Sequence, residues 1–330
     1  MAATTTIQDV AKAAGVSPAT VSRVLNGYDV SPERSARVHE AVRDLDYQPN
    51  GAARALRRQV ADVWSAIVAD VENPFFTSVV RGLEDAARRH GHRVILCNSD
   101  EELDRERDYF DVAIAERVGG VVVAVASTRQ SRLDALLENN IPVVAIDRRP
   151  VGHPVDCVLV NNRLGARQAT SHLLEGGARR VACITGPSRI STANERLAGA
   201  RDAVRQAGLD LQVARRDFRV GGGHDATIDL LTSDMPPDAL FVANNLMTVG
   251  AMTALRELGL RVPDDVLVVG FDDSPWTELT EPQLTVVAQP TYEIGTTAAE
   301  LLVARRAKRT GKPRDVILEP RLIVRQSSMR

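Results

Sequence analysis

The chain has 330 residues, too many for one ordinary hydrophobic core, so two or three domains are expected. A content of 44% hydrophobic and 25% charged residues excludes a disordered, fibrous or low-complexity chain. The net charge of −2 hides an asymmetry: residues 1–59 hold eight Lys/Arg against six acids and the remainder 33 against 37, which puts the anion-binding end at the N-terminus.

The first elements read as three short helices. Thr6-Ile7-Gln8-Asp9 has the pattern of a capping box, and Val10, Ala13 and Ala14 supply an apolar stripe, which predicts a helix over about 7–14. Gly15 permits the left-handed backbone of a tight turn, and Val16 can fill the corner behind it. Ser17 caps a second helix with Pro18 in its first turn, running over 18–25 and ending at Asn26-Gly27. Ser31-Pro32 repeats that start signal for a third helix over about 32–45, with Val38, Ala41, Val42 and Leu45 facing inward. A glycine turn between the first two helices is the helix-turn-helix plan, whose second helix enters the DNA major groove.

The run TIQDVAKAAGVSPATVSRVLNG resembles, almost residue for residue, the headpiece of the lactose/galactose repressor (LacI/GalR) family. Pro49 breaks the third helix, and Asn50-Gly51-Ala52-Ala53-Arg54-Ala55-Leu56 resembles that family's hinge helix, which orders on DNA and wedges a leucine into the minor groove. Leu56 matches the wedge; the alternative is an ordinary linker whose leucine packs on a core. The resemblance implies a DNA-facing set of Thr6, Ser17, Pro18, Ala19, Thr20, Ser22, Arg23, Asn26, Asn50, Arg54 and Leu56. Arg23 suits a forked contact with guanine, and Thr20 and Ser22 suit phosphate or base edges. Pro18 and Ala19 offer shape and methyl contact alone, so the operator sequence stays open.

From about residue 62 the pattern changes to short apolar runs alternating with amphipathic helices. Strands are predicted near 63–68, 93–97, 120–124 and 142–146, with helices near 75–90, 102–117 and 130–139. The pattern then restarts, with strands near 156–160, 180–184, 213–218, 239–243 and 265–270 and helices near 162–176, 195–207, 223–233 and 245–258. Residues 321–325 are strand-like. Such alternation implies two successive lobes of parallel sheet covered by helices, with a ligand cleft at the carboxyl ends of the strands.

Those strand ends carry Asn73-Pro74-Phe75-Phe76 and Asp147-Arg148 in the first lobe. In the second they lead to Thr192, Arg196, Phe218, Asn244 and Asp272, with Gln289 in a segment returning across the lobes. Aromatic faces combined with planar, charge-assisted hydrogen-bonding groups suit a sugar, whose C–H faces stack while each hydroxyl must be partnered. The same residues resemble the ribose-contacting set of periplasmic ribose-binding proteins, which implies ribose or a related sugar as effector. The expected fold is thus an all-α helix-turn-helix headpiece (1–48), a hinge (49–60) and an α/β two-lobed, periplasmic-binding-protein-like (type I) effector and dimerisation domain (61–330).

The expected partners are double-stranded pseudo-palindromic operator DNA, a small sugar and a second copy of the chain, a homodimer without the C-terminal heptads of tetrameric relatives. A cytoplasmic, non-membrane location is expected, since no basic start precedes an apolar stretch and the apolar run near 118–126 is far short of a span. Cys97, Cys157 and Cys183 read as buried reduced thiols. His90 and His92 flank Gly91 at a helix end, where cations suit the dipole. No metal, cofactor or catalytic group is expected, and Gly221-Gly222-Gly223 reads as a flexible turn. The alternatives are a transport-type binding protein and a nucleotide-using α/β enzyme. Whether effector releases or promotes DNA binding is open.

Overall fold

A computed structural model describes residues 5–25, 28–47, 62–307 and 311–330. Its contacts divide the chain into two units, Met1–Ala61 and Asp62–Arg330. In the N-terminal unit α1 (Ile7–Ala14), α2 (Pro18–Leu25) and α3 (Pro32–Asp44) close over Val10, Ala11, Ala14, Val21, Val24, Val38 and Ala41. The Thr6 hydroxyl accepts the Asp9 amide while the Asp9 carboxylate accepts the Thr6 amide at 2.8 Å, the reciprocal cap its sequence predicts. Gly15, at φ 61°, ends α1 in left-handed backbone. Ser17 Oγ accepts the Thr20 amide at 3.1 Å and opens α2.

Two local expectations are corrected. The buried stripe of α1 is Val10, Ala11 and Ala14, and Ala13 is exposed. At about 100° per residue, position 13 falls outside the arc spanned by the other three. Ser31 makes no side-chain cap hydrogen bond, so Pro32, fixed at helical φ in the first turn, carries the start of α3.

The C-terminal unit holds two six-stranded sheets. The first is built from β1 (Val63–Val68), β2 (Arg93–Asn98), β3 (Gly120–Val123), β4 (Val143–Ile146), β5 (Asp156–Val160) and β11 (Asp315–Leu318). Its order is β2-β1-β3-β4-β5-β11, all parallel. The second comprises β6 (Val181–Thr185), β7 (Leu211–Arg215), β8 (Ala239–Val242), β9 (Leu267–Phe271), β10 (Thr285–Ala288) and β12 (Arg321–Ile323), in the order β7-β6-β8-β9-β10-β12. Here β12 runs antiparallel to β10. The central strands are buried along their whole length, as both faces of a parallel sheet under helices must be.

The first sheet is flanked by α4 (Pro74–Arg89), α5 (Leu103–Ala115) and α6 (Asp134–Glu138), the second by α7 (Asn162–Glu175), α8 (Ser191–Gln206), α9 (Val220–Leu231) and α10 (Asn245–Glu257). A further helix, α11 (Thr291–Ala307), returns to pack on α4, β4 and β5. The chain therefore crosses between lobes three times, after β5, after β10 and between β11 and β12.

β10, α11 and β11 escape the sequence pattern, and β7 starts two residues and ends three before the strand predicted near 213–218. Gly221-Gly222-Gly223, expected as a flexible turn, lie inside α9. A Cβ at Gly223 would meet the Met247 carbonyl oxygen at 2.1 Å, and one at Gly250 would meet that of Val220 at 1.9 Å. Those glycines let α9 and α10 touch backbone to backbone. His92 is no exposed dipole partner either: its ring stacks on the buried Trp64, centroids 4.6 Å apart, and accepts from Arg306 at 3.2 Å. The three cysteines are buried, with burial pushing Cys157 up to about 11 and Cys183 up to about 12. Among the described residues no helix is long and apolar enough to cross a membrane.

Candidate functional site

Parallel strands deliver their carboxyl ends to one edge of each sheet, and in the C-terminal unit those edges face each other across a cleft. From the first lobe, the loop after β1 and the start of α4 supply Asp70, Asn73, Phe75 and Phe76. The loop after β2 supplies Glu101, and the end of β4 supplies Asp147 and Arg148. From the second, α8 supplies Thr192 and Arg196, the loop after β7 Phe218 and Arg219, and the ends of β8, β9 and β10 supply Asn244, Asp272 and Gln289. All eleven residues singled out for an effector lie in this one cavity. Asp70, Glu101 and Arg219 line it too and were missed, although each follows a strand as the others do.

Local chemistry fixes these side chains. Asn73 caps α4, its Oδ1 accepting the Phe75 amide at 2.9 Å and the Asn245 side-chain amide at 3.0 Å from the opposite lobe. That cap turns Phe75 and Phe76 inward, where their rings meet edge to face at 5.0 Å. Asn244 caps α10 in the same way, accepting from the Met247 amide at 3.1 Å. Phe218 sits directly on Gly186, where a Cβ would lie 2.3 Å from the ring.

Arg196 is buried, stacked 3.8 Å over the Phe271 ring, and donates to Asn162 Oδ1 and the Ala243 carbonyl at 2.8 Å each. Arg148 donates to Glu101 at 2.7 Å and to the Val125 carbonyl at 3.1 Å, and its Nε lies 3.2 Å from Asp147. Gln289 donates to Asp272 at 2.5 Å while its own Oε1 is buried without a protein partner among the described residues. Burial pushes the Asp147 and Asp272 carboxyls above the ordinary range, opposed by Arg148 and Arg196 at the first and by Arg196 at the second. Burial conversely pulls Arg196 down, against the pull of Asp272 and Asp147. The cavity thus brings four carboxylates against three guanidinium groups, each guanidinium already held by protein partners.

In the N-terminal unit Ser17, just before α2, and Pro18, Ala19 and Arg23 within it are exposed, and Thr20 and Ser22 are half-buried. Arg23 donates back to the Asp29 carbonyl at 3.2 Å. Thr6 is exposed and occupied as the cap of α1. Asn26, Asn50, Arg54 and Leu56 lie outside the described residues.

Residues 6–50 match the model of the bacterial regulatory proteins of the lacI family, and residues 170–328 that of a periplasmic binding protein-like domain. The ribose operon repressor of Halalkalibacterium halodurans is 37% identical, the match covering 98% of this chain and 97% of that one. Among solved structures, the lac repressor dimer bound to operator and the anti-inducer ONPF has a TM-score of 0.89 at 26% identity, over 99% of this chain and 100% of that one. A LacI family transcriptional regulator from Enterococcus faecium with bound ribose has a TM-score of 0.74 at 26% identity, over 81% of this chain and 98% of that one.

Headpiece and clamshell together define a DNA-binding transcriptional regulator that carries its own ligand-binding unit. The chain belongs to the lacI family of bacterial regulatory proteins.

Proposed function

We propose that this chain is a homodimeric, non-catalytic repressor of the cytoplasm whose hold on a pseudo-palindromic operator is set by a neutral sugar, ribose or a close relative, in the cleft. The observation that carries the reading is the cavity itself: aromatic rings and buried planar hydrogen-bonding groups converge from both lobes. A missing or inverted hydroxyl would leave one of those groups desolvated and unpaired, which is how such a site discriminates among sugars. Every guanidinium in the cavity is already engaged by carboxylate, amide or carbonyl oxygens, which favours an uncharged ligand over a sugar phosphate. The likeness to a ribose operon repressor and to a ribose-bound regulator supports the same ligand.

The DNA-facing residues are Thr6, Ser17, Pro18, Ala19, Thr20, Ser22, Arg23 and Asn26 on the headpiece and Asn50, Arg54 and Leu56 on the hinge. Selection of bound fragments from a random DNA pool, with and without a panel of sugars, tests the whole reading. One enriched palindrome whose recovery changes with ribose or another pentose is the expected result. No preference among fragments under any ligand condition sinks it.

A further inference from the structure

Arg219 stands at the N-cap of α9 in the second lobe, and its guanidinium spans the cleft to two carboxylates of the first. It donates to Asp70 at 2.7 Å and to Asp100. Asp70 is otherwise turned toward its own chain, its Oδ1 accepting the Glu72 amide at 2.9 Å. Asp100 also pairs with Arg105 of its own lobe at 3.3 Å. Asp100 and the neighbouring Glu101 both adopt left-handed backbone, φ 54° and 59°, an uncommon conformation for consecutive non-glycine residues. That conformation turns Asp100 to Arg219 and Glu101 to Arg148 and to Arg189, the last reaching from the second lobe at 3.5 Å. Local strain held in place by contacts from the opposite lobe marks the loop after β2 as part of the closing apparatus.

We propose that Arg219 is the clasp of the cleft, a positioning residue that ties the second lobe to Asp70 and Asp100 and so sets effector affinity through closure. The proposal rests on the reading of the cleft as a sugar site. Its consequence is distinctive. Closing the lobes forms ion pairs that remain partly open to solvent, the Arg219 side chain being 35% exposed. Mobile ions screen such pairs, so affinity for an uncharged sugar becomes dependent on salt.

Calorimetry with D-ribose on the full chain, in about 50 and about 500 mM NaCl, reads this directly. For the wild type the dissociation constant rises about threefold or more with salt. Arg219→Ala binds about tenfold more weakly at low salt and loses most of the salt dependence. Asp100→Asn, made on the other lobe, loses it as well. Arg216→Ala, which removes a guanidinium paired with Asp229 inside the second lobe, keeps the wild-type slope.

A wild-type affinity indifferent to salt, or an Arg219→Ala slope equal to the wild type, overturns the clasp. Hydrogen exchange of the sugar-free protein separates the clasp from the ligand assignment. The Ser191 amide donates to Thr128 Oγ1 of the opposite lobe at 3.2 Å, and its exchange accelerates in Arg219→Ala if the clasp holds the lobes. Unchanged exchange overturns the clasp whatever the ligand, whereas a wild type that binds no neutral sugar overturns the ligand assignment.

Discussion

At the ends of β4 and β9, Asp147 and Asp272 adopt left-handed backbone, φ 61° and 76°, and bury their carboxylates. Strain of this kind costs about 1–3 kcal/mol per residue and persists where the surroundings enforce it. Both carboxyls have folded pKa values raised by burial, so the native state takes up protons more readily than the unfolded chain. Their ionised forms therefore weaken the fold at neutral pH, and stability recovers as pH falls through the raised values toward the ordinary carboxylate range near ~4. Asparagine tolerates the same backbone without the charge. The double variant Asp147→Asn, Asp272→Asn is expected to flatten the rise in stability between neutral and mildly acid pH while binding ribose at least about tenfold more weakly. Urea titrations at neutral and mildly acid pH, paired with calorimetry, check both halves; an unaltered pH slope removes the argument. His92 has the opposite sign. Burial and then Arg306 hold its folded pKa low, so its contribution is present above about 6.5 and lost as pH falls through the folded value. Trp64 stacks on it and reports the change, and His92→Gln should flatten the acid limb of the tryptophan fluorescence titration.

Among the elements, the three neighbouring glycines of α9 face different surroundings. A Cβ on Gly221 meets nothing within 4 Å, whereas the contact between Gly250 and Val220 leaves no space for one. Gly221→Ala should raise stability by up to about 1 kcal/mol through lost unfolded-chain freedom. Gly250→Ala should cost about 1–3 kcal/mol, because two helix backbones must part. Chemical denaturation midpoints separate the two, and equal effects would sink the packing argument. The run looked like a turn because, of its three glycines, Gly223 alone meets a neighbour distant in sequence, the Met247 backbone of α10, which no local pattern marks. The helices and strands read well wherever an apolar period was bounded by a cap or a glycine, as at Thr6, Gly15 and Asn73. In α11 apolar residues are scattered round the helix, because it is pressed against α4 and three strands at once, and no stripe marks it. β11 alternates exposed and half-buried positions at a sheet edge and lacks the buried run that betrays a central strand. For the cleft, aromatic and amide residues at strand ends stood out, but Asp70, Glu101 and Arg219 look like ordinary loop charges until the two sheets are set face to face.

Across the whole molecule, the proposed function requires sugar and operator to act on each other by the same factor, since each would bias one equilibrium between states. Couplings of this type are about 1–3 kcal/mol, so saturating ribose should change operator affinity by about 5–150-fold, and saturating operator should change ribose affinity equally. Fluorescence anisotropy of labelled operator and calorimetry of the protein-operator complex measure the two factors. No change in either would leave the cleft and the headpiece uncoupled. The three crossings between lobes also constrain biosynthesis. The last strand of each sheet, β11 and β12, is drawn from residues 315–323, so β5 and β10 keep naked hydrogen-bonding edges until those residues have left the ribosome. A translational stall or frameshift near residue 300 would therefore release not one finished lobe and one fragment but two sheets, each short of its edge strand and adhesive there, prime substrates for chaperones and proteases.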